Sequence, residues 1–197
     1  VENSTIHNCQ GYGLAISYAK VQVYNTQISN TLNHCLYVEG GHVDVNNSTI
    51  AQFYPFDGNR RSAIGFKAPI DTLDVRNSLV TGYGNDEVLW TPVEEEPLKF
   101  SFDHCVLRTE KMMTEDSLRF THVVYEDVKD TTMYGEKHFS VFDTENLIYD
   151  FHLSAKSAAI GAADPKTALP YDRNGLKREE DKADAGCFLY REEKKEE

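Results

Sequence analysis

The sequence predicts an all-β chain wound as a right-handed parallel β-helix. Three observations carry this: a phrase that recurs through the first half, an Asn held at one place in it, and a second set of apolar runs about one coil apart. The phrase reads Val1-x-Asn3-Ser4-Thr5-Ile6, Val23-Tyr24-Asn25-Thr26-Gln27-Ile28, Val45-Asn46-Asn47-Ser48-Thr49-Ile50 and Val75-Arg76-Asn77-Ser78-Leu79-Val80. A degenerate copy is Phe102-Asp103-His104-Cys105-Val106-Leu107. From Asn3 the Asn positions advance by 22, 22 and 30 residues, and His104 follows after 27.

Each copy is a short strand, a corner and a second apolar run. Val43-Asp44-Val45 and Leu73-Asp74-Val75 alternate apolar with polar, the period of a half-buried strand. Asn tolerates the left-handed backbone of a sharp corner, and its amide can bond to local backbone. Coils stacked at about 4.8 Å also allow the Asn side chains to bond one another in a ladder. The residue three places on (Ile6, Ile28, Ile50, Val80, Leu107) then points inward. The runs Gly13-Leu14-Ala15-Ile16, Cys35-Leu36-Tyr37-Val38, Ala63-Ile64-Gly65-Phe66 and Val88-Leu89-Trp90 supply another wall. The competing fold is an antiparallel β-sandwich of short strands, and the in-phase Asn columns argue against it.

Coils are expected over residues 1–110, with insertions at 52–62 and 82–98 where the step lengthens. The pattern then decays into an irregular, charged excursion at 111–150, in which Phe120-Thr121-His122-Val123-Val124-Tyr125 reads as one strand. Residues 191–197 read as a solvated mixed-charge tail. Val1 falls inside a repeat, so upstream coils or another chain are expected to cover that end.

With 32 acidic against 20 basic residues and a formal charge of −12, a nucleic-acid partner is not expected. No apolar run approaches membrane-spanning length. Cys9, Cys35, Cys105 and Cys187 lack metal-ligand spacing and read as free thiols, a Cys9–Cys35 disulfide being the alternative.

The last third carries Ser157-Ala158-Ala159-Ile160-Gly161-Ala162-Ala163-Asp164, then Tyr171-Asp172-Arg173-Asn174-Gly175-Leu176-Lys177-Arg178, then Asp184-Ala185-Gly186-Cys187-Phe188-Leu189-Tyr190. In that order these elements resemble the terminal signature of secreted bacterial right-handed β-helix proteins. Ala158, Asn174 and Cys187 depart from the usual Pro, Asp and Ala. The resemblance implies that residues 151–190 form a C-terminal cap over the last coil, and it implies a secreted or cell-surface location and association with extracellular polysaccharide.

Two groups of residues are candidates for that role. In register, Asp44 and Asp74 would lie one rung apart on an outer face with Tyr24, Asn46 and Arg76 beside them. Paired carboxylates suit glycoside hydrolysis or Ca²⁺-assisted binding of sugar acids. The plainer and preferred reading is a solvated face on which Arg76 relieves the two acids. The loop 53–61 combines Tyr54 and Phe56 with Arg60 and Arg61: aromatics stack on sugar rings and Arg holds carboxylates bidentately. The equal alternative is that its aromatics fold back over the coil edge. His34 and His42 are isolated, His104 takes the Asn corner, and Asp172-x-Asn174-Gly175 reads as a turn rather than a Ca²⁺ loop.

No cofactor is expected, Ca²⁺ at the acid pair being the one candidate. No complete acid–base set assembles, so binding rather than catalysis is expected. An enzyme on this frame would be a polysaccharide lyase or a glycoside hydrolase. The second function class is a structural, adhesin-like stalk with no small-molecule site.

Overall fold

The structure, a computed structural model, describes residues 1–111 and 118–192 of the 197. It is a parallel β-solenoid of about four turns. The second wall is a sheet in the order β1 (Thr5–His7), β3 (Gln27–Ser29), β5 (Thr49–Gln52), β8 (Leu79–Gly82), β11 (Val106–Leu107) and β13 (Val124–Tyr125). The first wall is built on β4 (Leu36–Asn46), which pairs β2 (Leu14–Tyr24) on one side. On the other side β4 is met by both β6 (Ile64–Lys67) and β7 (Ile70–Arg76). Beyond these lie β9 (Val88–Thr91) on β6, and β10 (Leu98–Asp103) and β12 (Phe120–Thr121) on β7. All these pairings are parallel.

The corners are where the repeat places them. Asn3, Asn25, Asn47, Asn77 and His104 all adopt positive φ, between 44° and 50°. Each donates its backbone N–H to the rung beyond, as Asn25 does to Asn46 O and Asn47 to Arg76 O. Between the corners the inward residues stack in columns. Val23, Val45, Val75, Phe102 and Phe120 are successive partners in one wall, and Ile6, Ile28, Ile50, Val80 and Leu107 in the other. Together they form the principal core. Cys105 takes the buried place held by Ser78 one rung and Ser48 two rungs earlier, and all four cysteines are free.

Three expectations are corrected. The stretch 120–125 is not one strand: His122, at φ 51°, divides it into β12 and β13, so it forms a further rung with its own corner. The Asn amides do not simply bond one another. Asn25 Nδ2 donates to Tyr171 O, Asn46 Nδ2 to Thr167 O, and Asn47 and Asn77 accept from the N–H groups of Leu169 and Asp164. The C-terminal segment therefore does not lie over the last coil alone. It runs back along the row of corners as a strap, reaching coils far earlier in the chain.

The strap follows a hairpin of β14 (Phe139–Asp143) and β15 (Ile148–Leu153), the antiparallel pair at the end of the strand sequence. Hairpin and strap bury the outer side of the second wall in a separate core of Ala51, Phe53, Leu79 and Val106 with Phe139, Phe151, Ala185 and Phe188. Every residue of β3, β5 and β8 is consequently buried. Gly186 fits only as glycine: its φ is +100°, and a Cβ would come within 2.8 Å of Thr49 Oγ1. Residues 193–197, most of the expected charged tail, lie outside the described residues.

Candidate functional site

Strand register brings the predicted acid pair together. Asp44 is the direct partner of Asp74, with Gln22 and Ser101 on the flanking rungs. The outer face then satisfies itself. Arg76 donates to Asp44 Oδ1 at 2.7 Å, Tyr24 Oη donates to Asp44 Oδ2 at 2.5 Å, and Gln22 donates to Tyr24 Oη at 2.9 Å. Ser101 Oγ donates to Asp74 Oδ1 at 2.7 Å. Burial and the neighbouring Asp44 carboxylate raise the Tyr24 hydroxyl above its ordinary pKa, so it remains a donor. Asp44 and Arg76 keep about a third of their side-chain surface (30% and 35%), a solvated pair rather than a desolvated one. A Ca²⁺ between the acids would have to displace both Arg76 and Tyr24. Asn46 does not share this face: it is buried, bonded to Thr167 O and to the Asn77 amide, and unavailable to a ligand.

The loop 53–61 divides in two. Phe53 and Tyr54 fold back and are buried, Phe53 edge-on to Phe142 and Phe139 in the second core. Phe56 and Arg61 face solvent, with Phe56 edge-on to Tyr54 at 5.4 Å, while Arg60 lies over the Tyr83 ring. This loop joins β5 to β6, whereas Asp44 and Arg76 sit on β4 and β7. Among the described residues no hydrogen bond, ion pair or ring contact links the two groups.

A third constellation was not singled out from the sequence. Tyr12, His34 and Tyr37 stack on the outer face of the first wall, with ring centroids 5.2 Å (Tyr12–Tyr37), 5.6 Å (His34–Tyr37) and 6.2 Å (Tyr12–His34) apart. The planes of His34 and Tyr37 differ by only 17°. His34 lies flat because Gly65 is beneath it; a Cβ there would meet the imidazole at 2.5 Å. Its Nδ1 is held by Ser62, 3.1 Å from the carbonyl and 3.0 Å from Oγ. Burial, with some help from Arg61, lowers its pKa below the usual histidine value, so the ring stays neutral at pH 7. Tyr12 is 42% exposed, and Leu89, two rungs along in the Tyr37 column, 49%. The signal was available: His34 follows Tyr12 by one 22-residue step, so the repeat itself stacks them.

One buried arrangement looks catalytic and is structural. His138 places Nδ1 2.8 Å from Ser157 Oγ and Nε2 3.0 Å from Glu126 Oε1, while Arg108 donates to Glu126 Oε2 at 3.0 Å. His138 is wholly buried, and Ser157 Oγ also accepts the Ala159 N–H. The group is a strut tying the strap to the last rungs. Burial alone would raise the Glu126 pKa, but hydrogen bonds from His138 and Arg108 outweigh it and leave the carboxylate below its ordinary range. Glu87 goes the other way. Burial lifts it to about 8 although the Gly84 and Ala63 N–H groups bond to it.

The fold and this open aromatic face define a β-solenoid with one accessible wall. Compared with known proteins, the chain matches no family model, no curated protein and no solved structure. Among the described residues no helix is long and apolar enough to cross a membrane.

Proposed function

We propose that this chain is a carbohydrate-binding module of a secreted or surface bacterial β-helix protein that associates with extracellular polysaccharide. One observation carries the reading: the stacked, partly exposed rings of Tyr12, His34 and Tyr37 on the outer face of the first wall. Flat aromatic faces of this kind stack on the apolar faces of sugar rings, and rings fixed before binding lose little entropy on contact. Arg61, near enough to His34 to affect its charge, adds a cation for a sugar carboxylate. The acidic face at Asp44 and Asp74 is already neutralised from within and supports this role less.

The test is retention on a glycan array and in affinity electrophoresis. Tyr12→Ala with Tyr37→Ala should weaken retention by about 5- to 150-fold, each stacking contact contributing roughly 0.5–1.5 kcal/mol. Arg61→Ala should weaken binding to uronic-acid glycans more than to neutral ones. Equal retention by the double variant would overturn the assignment.

A structural, adhesin-like stalk is the second reading. It is favoured by the self-satisfied column Gln22–Tyr24–Asp44–Arg76, a stable outer face that needs no ligand. A wild-type chain retained by no glycan would select it.

A further inference from the structure

The row of corners changes chemistry at its far end. Asn occupies positions 3, 25, 47 and 77, but the next two corners are His104 and His122, at φ 50° and 51°. Because β10 pairs β12 and β11 pairs β13, these corners lie on adjacent rungs. The two imidazoles stack, with centroids 4.3 Å apart and planes 24° from parallel. Asp103 immediately precedes the first corner, and its carboxylate faces both rings. Oδ1 lies 2.9 Å from His122 Nδ1 and Oδ2 lies 3.0 Å from His104 Nδ1. The three donor atoms all fall within 4.8 Å of one another.

Two neighbours keep this carboxylate turned towards the histidines. Arg76, its register partner on the preceding rung, sends its guanidinium to Asp44 instead. The Thr121 hydroxyl donates to Asp103 Oδ1 at 2.7 Å and fixes its orientation. One feature is unexplained by hydrogen bonding alone. His104 Nδ1 is a buried atom with Asp103 Oδ2 3.0 Å away but no well-aligned hydrogen bond to it. An ion bound by both groups would satisfy it.

We propose that Asp103, His104 and His122 bind one divalent transition-metal ion of the zinc class through the two Nδ1 atoms and the carboxylate. Imidazole with a single carboxylate is the donor set such ions prefer. Metal–ligand bonds of about 2.0–2.2 Å set donor atoms roughly 3.4 Å apart in a tetrahedron, and the three donor atoms here, all within 4.8 Å of one another, need only side-chain adjustment to reach one ion. The side chains of His104, Asp103 and His122 are 26%, 32% and 68% exposed, so a fourth position faces solvent. Ca²⁺ does not fit, since it demands six to eight oxygen ligands.

The test uses the full chain, stripped with EDTA and titrated calorimetrically with ZnCl₂, with CoCl₂ as a spectroscopic probe and CaCl₂ as a control. The comparison variant carries His104→Asn with His122→Asn, which restores the residue used at the other corners and leaves five histidines in place. Wild type should bind one Zn²⁺ and show the visible absorption of low-coordinate Co²⁺. The double variant and Asp103→Asn should lose more than about 100-fold in Zn²⁺ affinity, beyond the loss of an outer partner. Circular dichroism confirms folding, and the more exposed His122→Asn alone serves if the double variant is damaged. Equal Zn²⁺ binding by wild type and variant, no binding by wild type, or Ca²⁺ binding of the same strength would each overturn the proposal.

Discussion

The two walls of this solenoid are built from the same repeat and end in different environments. Over 21–24 of β2, 43–45 of β4 and 73–76 of β7 burial alternates residue by residue, with Tyr24, Asp44, Asp74 and Arg76 on the more exposed side. In β3, β5 and β8 nothing alternates, because the strap and hairpin cover the outer side. The first wall is free to meet a ligand; the second is an interior layer. Polar contacts should therefore matter little to stability on the open wall and greatly under the strap.

The largest effect is expected at the strut beneath the strap. Glu126→Gln breaks a buried pair with Arg108 and His138 and should lower unfolding free energy by about 3–5 kcal/mol in chemical denaturation. Despite burial, hydrogen bonds from His138 and Arg108 hold the Glu126 carboxyl below its ordinary range in the folded chain. Its contribution is therefore complete above the ordinary carboxylate range and is lost as pH falls through the lowered folded value. The gap between wild type and Glu126→Gln should be full at neutral pH and close in acid; a gap that grows in acid would refute the ionised strut.

A middle-sized effect separates covered corners from open ones. Asn47→Ala replaces a residue suited to φ 44° with one that is not, and removes the acceptor of the Leu169 N–H, for a loss of roughly 2–4 kcal/mol. Asn3 has the same conformation but is exposed, so Asn3→Ala should lose only about 1 kcal/mol. Equal losses would mean that the strap adds nothing at the corners. The smallest effect belongs to the open wall. Asp44→Asn breaks a solvated ion pair and should change stability by less than about 1 kcal/mol, less still in high salt.

The corners and inward columns were legible because each demands a side-chain type: Asn for positive φ, β-branched or large apolar residues for the core. The rung at 120–125 escaped because His122 replaces Asn at the corner, so the phrase reads as one strand. The path of the strap was hidden for a different reason. The Asn side chains hold it through Tyr171 O, Thr167 O, Leu169 N and Asp164 N, backbone atoms that any residue would offer. Its signature residues mark the segment but not the wall it covers. The acid pair was legible through register, as was the relief of Asp44 by Arg76. The stack of Tyr12 on His34 was spelled out by the period, but its two residues differ in type.

Native-state hydrogen exchange at Leu169 and Asp164 tests the covered wall most directly. Both lie in a segment outside the named strands, and their N–H groups bond to Asn47 Oδ1 at 2.7 Å and Asn77 Oδ1 at 2.8 Å. A strap docked along the corners predicts exchange at both amides slowed by orders of magnitude relative to an unprotected loop, with Leu169 released by Asn47→Ala. Exchange at unprotected rates in the wild-type chain would contradict the docking and leave the second wall as open as the first.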